Sequence, residues 1–171
     1  MGFWGYYVVG RSDGSLDALD ALADVRDGLV LHEERRDGWQ VWRRPSDPDA
    51  EAGDMGALAR GVTEETGLPA LFAFVMGGEC VVVEAAAPVG GSWFGCLGRE
   101  AMARYLGADG LVVEDLFLGA RDAAARAVEW ACEAGTVAQE AALLAVLEEQ
   151  VGLSATELLD TFLDRLGLAR L

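Results

Sequence analysis

The sequence predicts an α+β fold: a mixed or antiparallel sheet of about five to six strands with a C-terminal helical layer of about three helices. Three observations lead there. Up to residue 110, short runs rich in aromatic and β-branched residues alternate with turns containing Gly and Asp. From residue 111 the apolar spacing becomes mainly helical. Capping signals then divide the helical part at short intervals, and no heptad persists, which excludes a long coiled coil. A length of 171 residues suits one acidic domain over 1–171, with 1–110 mainly sheet and 111–171 mainly helical, packed on the same core.

Phe3 to Val9 reads as the first strand and ends at Gly10 and the polar run Arg11-Ser12-Asp13-Gly14. Leu16 to Arg26 has helical spacing: Leu16, Leu19, Leu22 and Ala23 turn inward, and Asp17, Asp20, Asp24 and Asp27 form an acidic stripe. Four like charges on one face weaken so short a helix. Leu29 to Glu34 and Trp39 to Arg44 are two strands about a tight turn at Asp37-Gly38. Trp39 and Trp42 fall on opposite faces of this ribbon. Either both faces are covered or Trp42 is exposed beside Arg35, Arg43 and Arg44.

Pro45 to Gly53 is a loop by composition, and Asp54 caps a helix that ends at Thr66 before Gly67-Leu68-Pro69. Ala70 to Met76 and Cys80 to Ala86 form a central hairpin, in which Glu84 either faces solvent or is held by an arginine. Gly90 to Leu97 adds a strand and Arg99 to Leu106 a short helix, followed by an apolar segment at Leu111 to Leu118. Helices then cover Asp122 to Glu133, a stretch behind a Thr136/Gln139 capping box with Leu143, Leu144, Leu147 and Val151 inward, and a last one behind Ser154/Glu157. The last buries Leu158, Leu159, Phe162, Leu163 and Leu166 and stops at Gly167.

The charge excludes more than it identifies. Against 29 Asp and Glu stand 13 Arg and no Lys, a formal charge of −16 that repels nucleic acid and anionic membrane and steers a basic protein toward the surface. Cys80, Cys96 and Cys132 are odd in number and far apart, giving neither a disulfide framework nor a CxxC pair, and all three read as core fillers. That pattern suits a reducing compartment. The N-terminus has no basic region typical of a signal peptide and no run reaches the length of a membrane span, so the expectation is a cytoplasmic protein.

No catalytic, cofactor or metal set emerges from spacing. His32-Glu33-Glu34-Arg35-Arg36 begins like a zinc-protease helix, but the second histidine is missing and the context is a strand. Asp47, Asp49, Glu51 and Asp54 have the alternation of a calcium loop without its Gly and terminal Glu. Arg35, Arg36, Arg43 and Arg44 flank the first hairpin, where their stems cover apolar surface.

The sequence-level expectation for function is a non-catalytic acidic protein-binding or inhibitor protein that engages a basic partner through Asp17, Asp20, Asp24, Asp27, Glu157, Asp160 and Asp164, with Trp42 as an aromatic anchor. In general character this is similar to the acidic immunity proteins that neutralise basic toxin domains, although no motif ties these residues to such a family. Two alternatives stand beside it. One is a structural or scaffold component that self-associates or forms a hetero-oligomer. The other is an enzyme whose site is assembled from dispersed Asp, Glu and Arg residues.

Overall fold

A computed structural model describes residues 2–46, 54–149 and 153–171. Its strands are β1 (Gly5–Arg11), β2 (Val30–Glu34), β3 (Trp39–Pro45), β4 (Ala70–Met76), β5 (Cys80–Ala87) and β6 (Gly91–Leu97). Its helices are α1 (Met55–Thr66), α2 (Arg99–Gly107), α3 (Ala120–Glu133), α4 (Glu140–Glu148) and α5 (Ala155–Arg165). The six strands form one antiparallel sheet in the order β2-β3-β1-β4-β5-β6, followed in sequence by the C-terminal helices, the α+β architecture that the periodicity predicts. The poor alternation of β1 now has its reason. β1 lies between β3 and β4 and is buried on both faces, so both of its side-chain rows are apolar. The centre of the sheet is thus β1 and β4, with β5 one place out.

On one face α3, α4 and α5 pack over Tyr7, Val9, Trp39, Val41 and the inward row of β5. On the other, α1 and the segment before β2 cover Tyr6, Val8, Trp42 and Phe72. The first hairpin is therefore covered on both sides, and Trp42 is buried, with its Nε1 donating to Gln40 Oε1 at 2.9 Å. Arg43 and Arg44 lie over the rings of Phe3 and Tyr6, so their stems do cover apolar surface. The hairpin turn is tight: Asp37 takes a left-handed φ of 61°, and Arg35 N donates to Trp39 O at 2.8 Å.

Three local expectations need correction. The stretch Leu16–Arg26 is two single 3₁₀ turns, Leu16–Ala18 and Asp20–Leu22, with Leu19 extended between them. Side chains from elsewhere take the backbone groups that a helix would have used. Gln40 Oε1 accepts from Leu16 N, the Glu65 carboxylate accepts from Asp20 N and Ala21 N, and Arg26 donates to the carbonyls of Asp17, Ala18 and Leu19. Repulsion among the four aspartates favours this outcome over the helix. Leu16 and Leu22 still reach the core, whereas Ala23 is exposed.

The Thr136/Gln139 box is not made either. Thr136 Oγ1 donates instead to Leu166 O at 2.6 Å and Ala131 O at 3.1 Å, tying the α3–α4 connection to the end of α5. Cys132 is exposed, while Cys80 and Cys96 are buried. In contrast, Asp54 and Ser154 cap α1 and α5 as their spacing predicts, and every apolar residue assigned to the last helix is buried. The calcium-like acids Asp47, Asp49 and Glu51 lie outside the described residues, as does Val151.

Trp130 joins the two halves of the chain. Its indole Nε1 donates to Ala70 O and Ala86 O, both at 3.1 Å, and its ring packs on Trp39 at 5.7 Å between centroids. Trp130→Phe leaves two carbonyls at the ends of β4 and β5 without that donor and opens space in the core. The expected loss is about 2–4 kcal/mol, read from urea denaturation with an unchanged m-value.

Candidate functional site

The densest group of chemically active side chains lies where the edge strand β2 meets α5. β2 is irregular there. Leu31 pairs with Trp42 and Glu33 with Val41, leaving His32 as the extra residue of a β-bulge. Regular alternation would put His32 and Glu33 on opposite faces of the sheet. The bulge instead brings Glu33 into line with Val41 and Val9 on the face covered by α5. The His32 ring reaches the same face and stands edge-on to Tyr7 at 5.4 Å between centroids. From above, α5 presents Asp160 and Asp164, one turn apart, beside the apolar row it buries.

At the centre is Arg35, the first residue after β2, whose side chain has no solvent exposure. Its Nε donates to Glu33 Oε2 at 3.2 Å, and its Nη1 donates to Asp164 Oδ1 at 2.6 Å and Leu168 O at 2.7 Å. Nη2 lies 3.1 Å from Glu33 Oε2 and 3.8 Å from Asp160 Oδ1, ion-pair contacts that lack hydrogen-bond geometry. Arg170 closes the group from outside, with its Nε 3.2 Å from Asp164 Oδ1 and its Nη2 4.0 Å from Asp160 Oδ2. Two guanidinium groups thus face three carboxylates, and one imidazole stands at the rim.

One donor atom from each of His32, Glu33 and Asp160 lies within 4.8 Å of the others. His32 is exposed and the two carboxylates are half-buried. Loss of water holds the Asp160 carboxyl above its usual range, against the lowering pull of Arg170 and Arg35. Burial likewise raises the Tyr7 phenol, opposed by its hydrogen bond with Arg43. The Arg170 guanidinium is pushed further up by its hydrogen bond with Asp164.

The partner-binding residues assigned from sequence separate on the fold. Asp20, Asp24 and Asp27 are exposed and Asp17 partly so, but they do not share a helix face. Asp160 and Asp164 are engaged by Arg35 and Arg170, and Glu157 stands alone at the start of α5. Trp42, being buried, presents no aromatic anchor to a partner. Sequence reasoning placed His32 beside Glu33 but did not connect them with Asp160, 127 residues further on. The one local signal was a bulky charged run, His32-Glu33-Glu34-Arg35, in an edge strand.

Among the thiols, burial pushes Cys80 up to about 12 and Cys96 to about 11. Glu84 is half-buried beneath the start of α1, and its carboxyl is raised by burial and Asp54, with Arg60 opposing. Among the described residues, surface cavities open elsewhere, one of about 460 Å³ between Arg11–Ser15 and Glu65–Leu68 and one of about 370 Å³ between α1 and the end of β5.

Comparison with known proteins identifies no relative: no family model matches the chain, and no curated protein or solved structure matches it significantly. No helix among the described residues is long and apolar enough to cross a membrane.

Two outcomes check this geometry. Asp164→Asn takes a charge-assisted acceptor from a guanidinium that is fully buried, and should cost about 1–2 kcal/mol, less than for a fully buried pair because Asp164 is partly exposed. Asp160 acts in the opposite sense. Its carboxyl is raised in the folded state, so its stabilising contribution is greatest below the ordinary carboxylate range and is lost as pH rises through the raised value. Asp160→Asn should flatten that decline on the alkaline side of the ordinary carboxylate range, measured by thermal melts over a series of pH values. Separately, native thiol labelling should give one fast-reacting group, abolished by Cys132→Ser, because only Cys132 of the three thiols is exposed.

Proposed function

We propose that this protein binds a divalent transition-metal ion through His32, Glu33 and Asp160, and that the dispersed-residue enzyme reading fits it better than the acidic protein-binding reading. The observation that carries this is the bulge in β2, which turns two consecutive residues toward one face and so completes a nitrogen–oxygen–oxygen group with α5. An imidazole favours zinc, copper, iron or nickel over calcium and magnesium, which take oxygen donors. Glu33 and Asp160 would supply two anionic oxygen donors, in competition with their present contacts to Arg35 and Arg170. Donor spacings of up to 4.8 Å are wider than bonds of about 2.0–2.2 Å require, so side-chain rotation toward the ion is part of the proposal.

Three protein donors leave positions for water or substrate, and a bound ion would lower the pKa of such a water toward neutrality. Arg170, half-exposed at the rim, is placed to meet an anionic group, while buried Arg35 keeps Glu33 and Asp164 in position. The reaction class that suits such a group is metal-assisted hydrolysis. The protein-binding reading loses weight because two of its aspartates serve internal arginines and its tryptophan is buried.

The test is calorimetric titration of the untagged Cys132→Ser protein with zinc, which removes the exposed thiol as a competing ligand. The expected result is one site per chain, weakened by about tenfold or more in His32→Ala and in Asp160→Asn, with calcium failing to compete. Unchanged affinity in His32→Ala would refute the assignment.

A further inference from the structure

Of the two arginines at the cluster of His32, Glu33 and Asp160, one is locked in place and the other is free to turn away. Arg35 has no solvent exposure, and its Nη1 donates to Asp164 Oδ1 at 2.6 Å and to Leu168 O at 2.7 Å. Moving that guanidinium would strand a buried charge and a buried carbonyl. Arg170 is placed differently. Its side chain is 53 % exposed, and its Nη2 stands 4.0 Å from Asp160 Oδ2. Its Nε and Nη2 donate to Asp164 Oδ1 and Oδ2 at 3.2 and 3.4 Å. Water takes over these donors when the contacts break, so releasing Arg170 costs little.

The charge of Arg170 reaches both oxygen donors of the metal site. Its raised pKa is caused first by the hydrogen bond with Asp164, and the carboxylates of Asp160 and Glu33 add to it. The same coupling is seen from the other side. Burial raises the Asp160 carboxyl, and Arg170 is the largest of the charges that oppose the rise, ahead of Arg35. A divalent ion approaching Glu33 and Asp160 therefore meets a positive charge already set against them. Ion and guanidinium repel each other if both stay close to Asp160.

The backbone carrying Arg170 is anchored. Leu168 is buried, Arg36 N donates to Ala169 O at 2.9 Å, and Arg170 forms a bridge with Arg35. Clearing Asp160 thus requires only the rotation of one exposed side chain, with α5 and the chain after it left where they are. Exposed rotamers exchange quickly.

We propose that Arg170 is an autoinhibitory counter-ion of the metal site, a role that rests on the assignment of His32, Glu33 and Asp160 as ligands. In the metal-free protein it partly neutralises Asp160 and Glu33, and a divalent ion binds by displacing it from Asp160. Its charge, and not its shape, sets how strongly the site resists occupation.

The experiment is calorimetric titration with zinc on the Cys132→Ser background, comparing that parent with Arg170→Gln and Arg170→Lys. Arg104→Gln, which removes an exposed arginine beside Glu79 and Glu100 on α2, controls for the loss of one positive charge elsewhere. At low salt Arg170→Gln should bind zinc about fivefold or more tightly than the parent, and the gain should shrink as salt screens the exposed charge. Arg170→Lys and Arg104→Gln should both stay within about twofold of the parent. A smaller gain in Arg170→Gln, or a gain in Arg170→Lys or Arg104→Gln equal to it, overturns the role of Arg170. Saturable zinc binding in the parent that is lost in His32→Ala leaves the metal site standing in that event. If neither the parent nor Arg170→Gln shows a saturable site, the metal site falls and the counter-ion role with it.

Discussion

The end of the C-terminal layer is arranged around one obligation, the solvation of the Arg35 guanidinium. A charge with no solvent exposure must be surrounded by acceptors or it destabilises the fold by several kcal/mol. Here one acceptor is local, Glu33 two residues earlier in β2, and two come from parts of the chain that local sequence does not connect with it, Asp164 in α5 and the carbonyl of Leu168 beyond it. Satisfying Arg35 fixes how α5 lies across the sheet and draws the chain after it over the end of β2. There Arg36 N donates to Ala169 O at 2.9 Å, and Arg35 and Arg170 form a bridge. Apolar burial of Leu158, Leu159, Phe162 and Leu163 supplies most of the docking energy, because buried ion pairs gain little net stability. What the guanidinium adds is register, and in the same contact it covers part of an edge that would otherwise be open to pairing.

Most of the architecture could be read from periodicity and turn chemistry, because those signals are local. Asp54 and Ser154 start their helices through bonds spanning three residues, and Asp37 accepts a left-handed φ at the turn that Asp-Gly marks. The failures share a cause. Leu16 to Arg26 has the pattern of a helix, but Gln40, Glu65 and Arg26 supply competing hydrogen bonds, two of them from other elements. Thr136 has the spacing of a capping box, but Leu166 O, thirty residues away, takes its hydroxyl. Cys132 was assigned to the wrong arc because it follows buried Ala131 and Trp130 in a helix whose polar side begins one residue later. Long-range polar partners decided each case, and composition does not reveal them.

The same distinction applies to the candidate site. His32 and Glu33 are adjacent, and adjacency in a strand argues against a shared face. Only a register shift against β3 reverses that, and the shift depends on how Leu31 and Glu33 pair with Trp42 and Val41. Asp160 was visible as part of an acidic stripe whose simplest role was to face a partner. In the fold that stripe is divided: Asp164 answers two arginines, while Asp160, at longer contact distances and partly desolvated, is the less well compensated carboxylate. A cation entering there would displace weaker contacts at Asp160 and leave the short Arg35–Asp164 bond intact. This is why a metal-binding role and the structural role of Arg35 are compatible within one cluster.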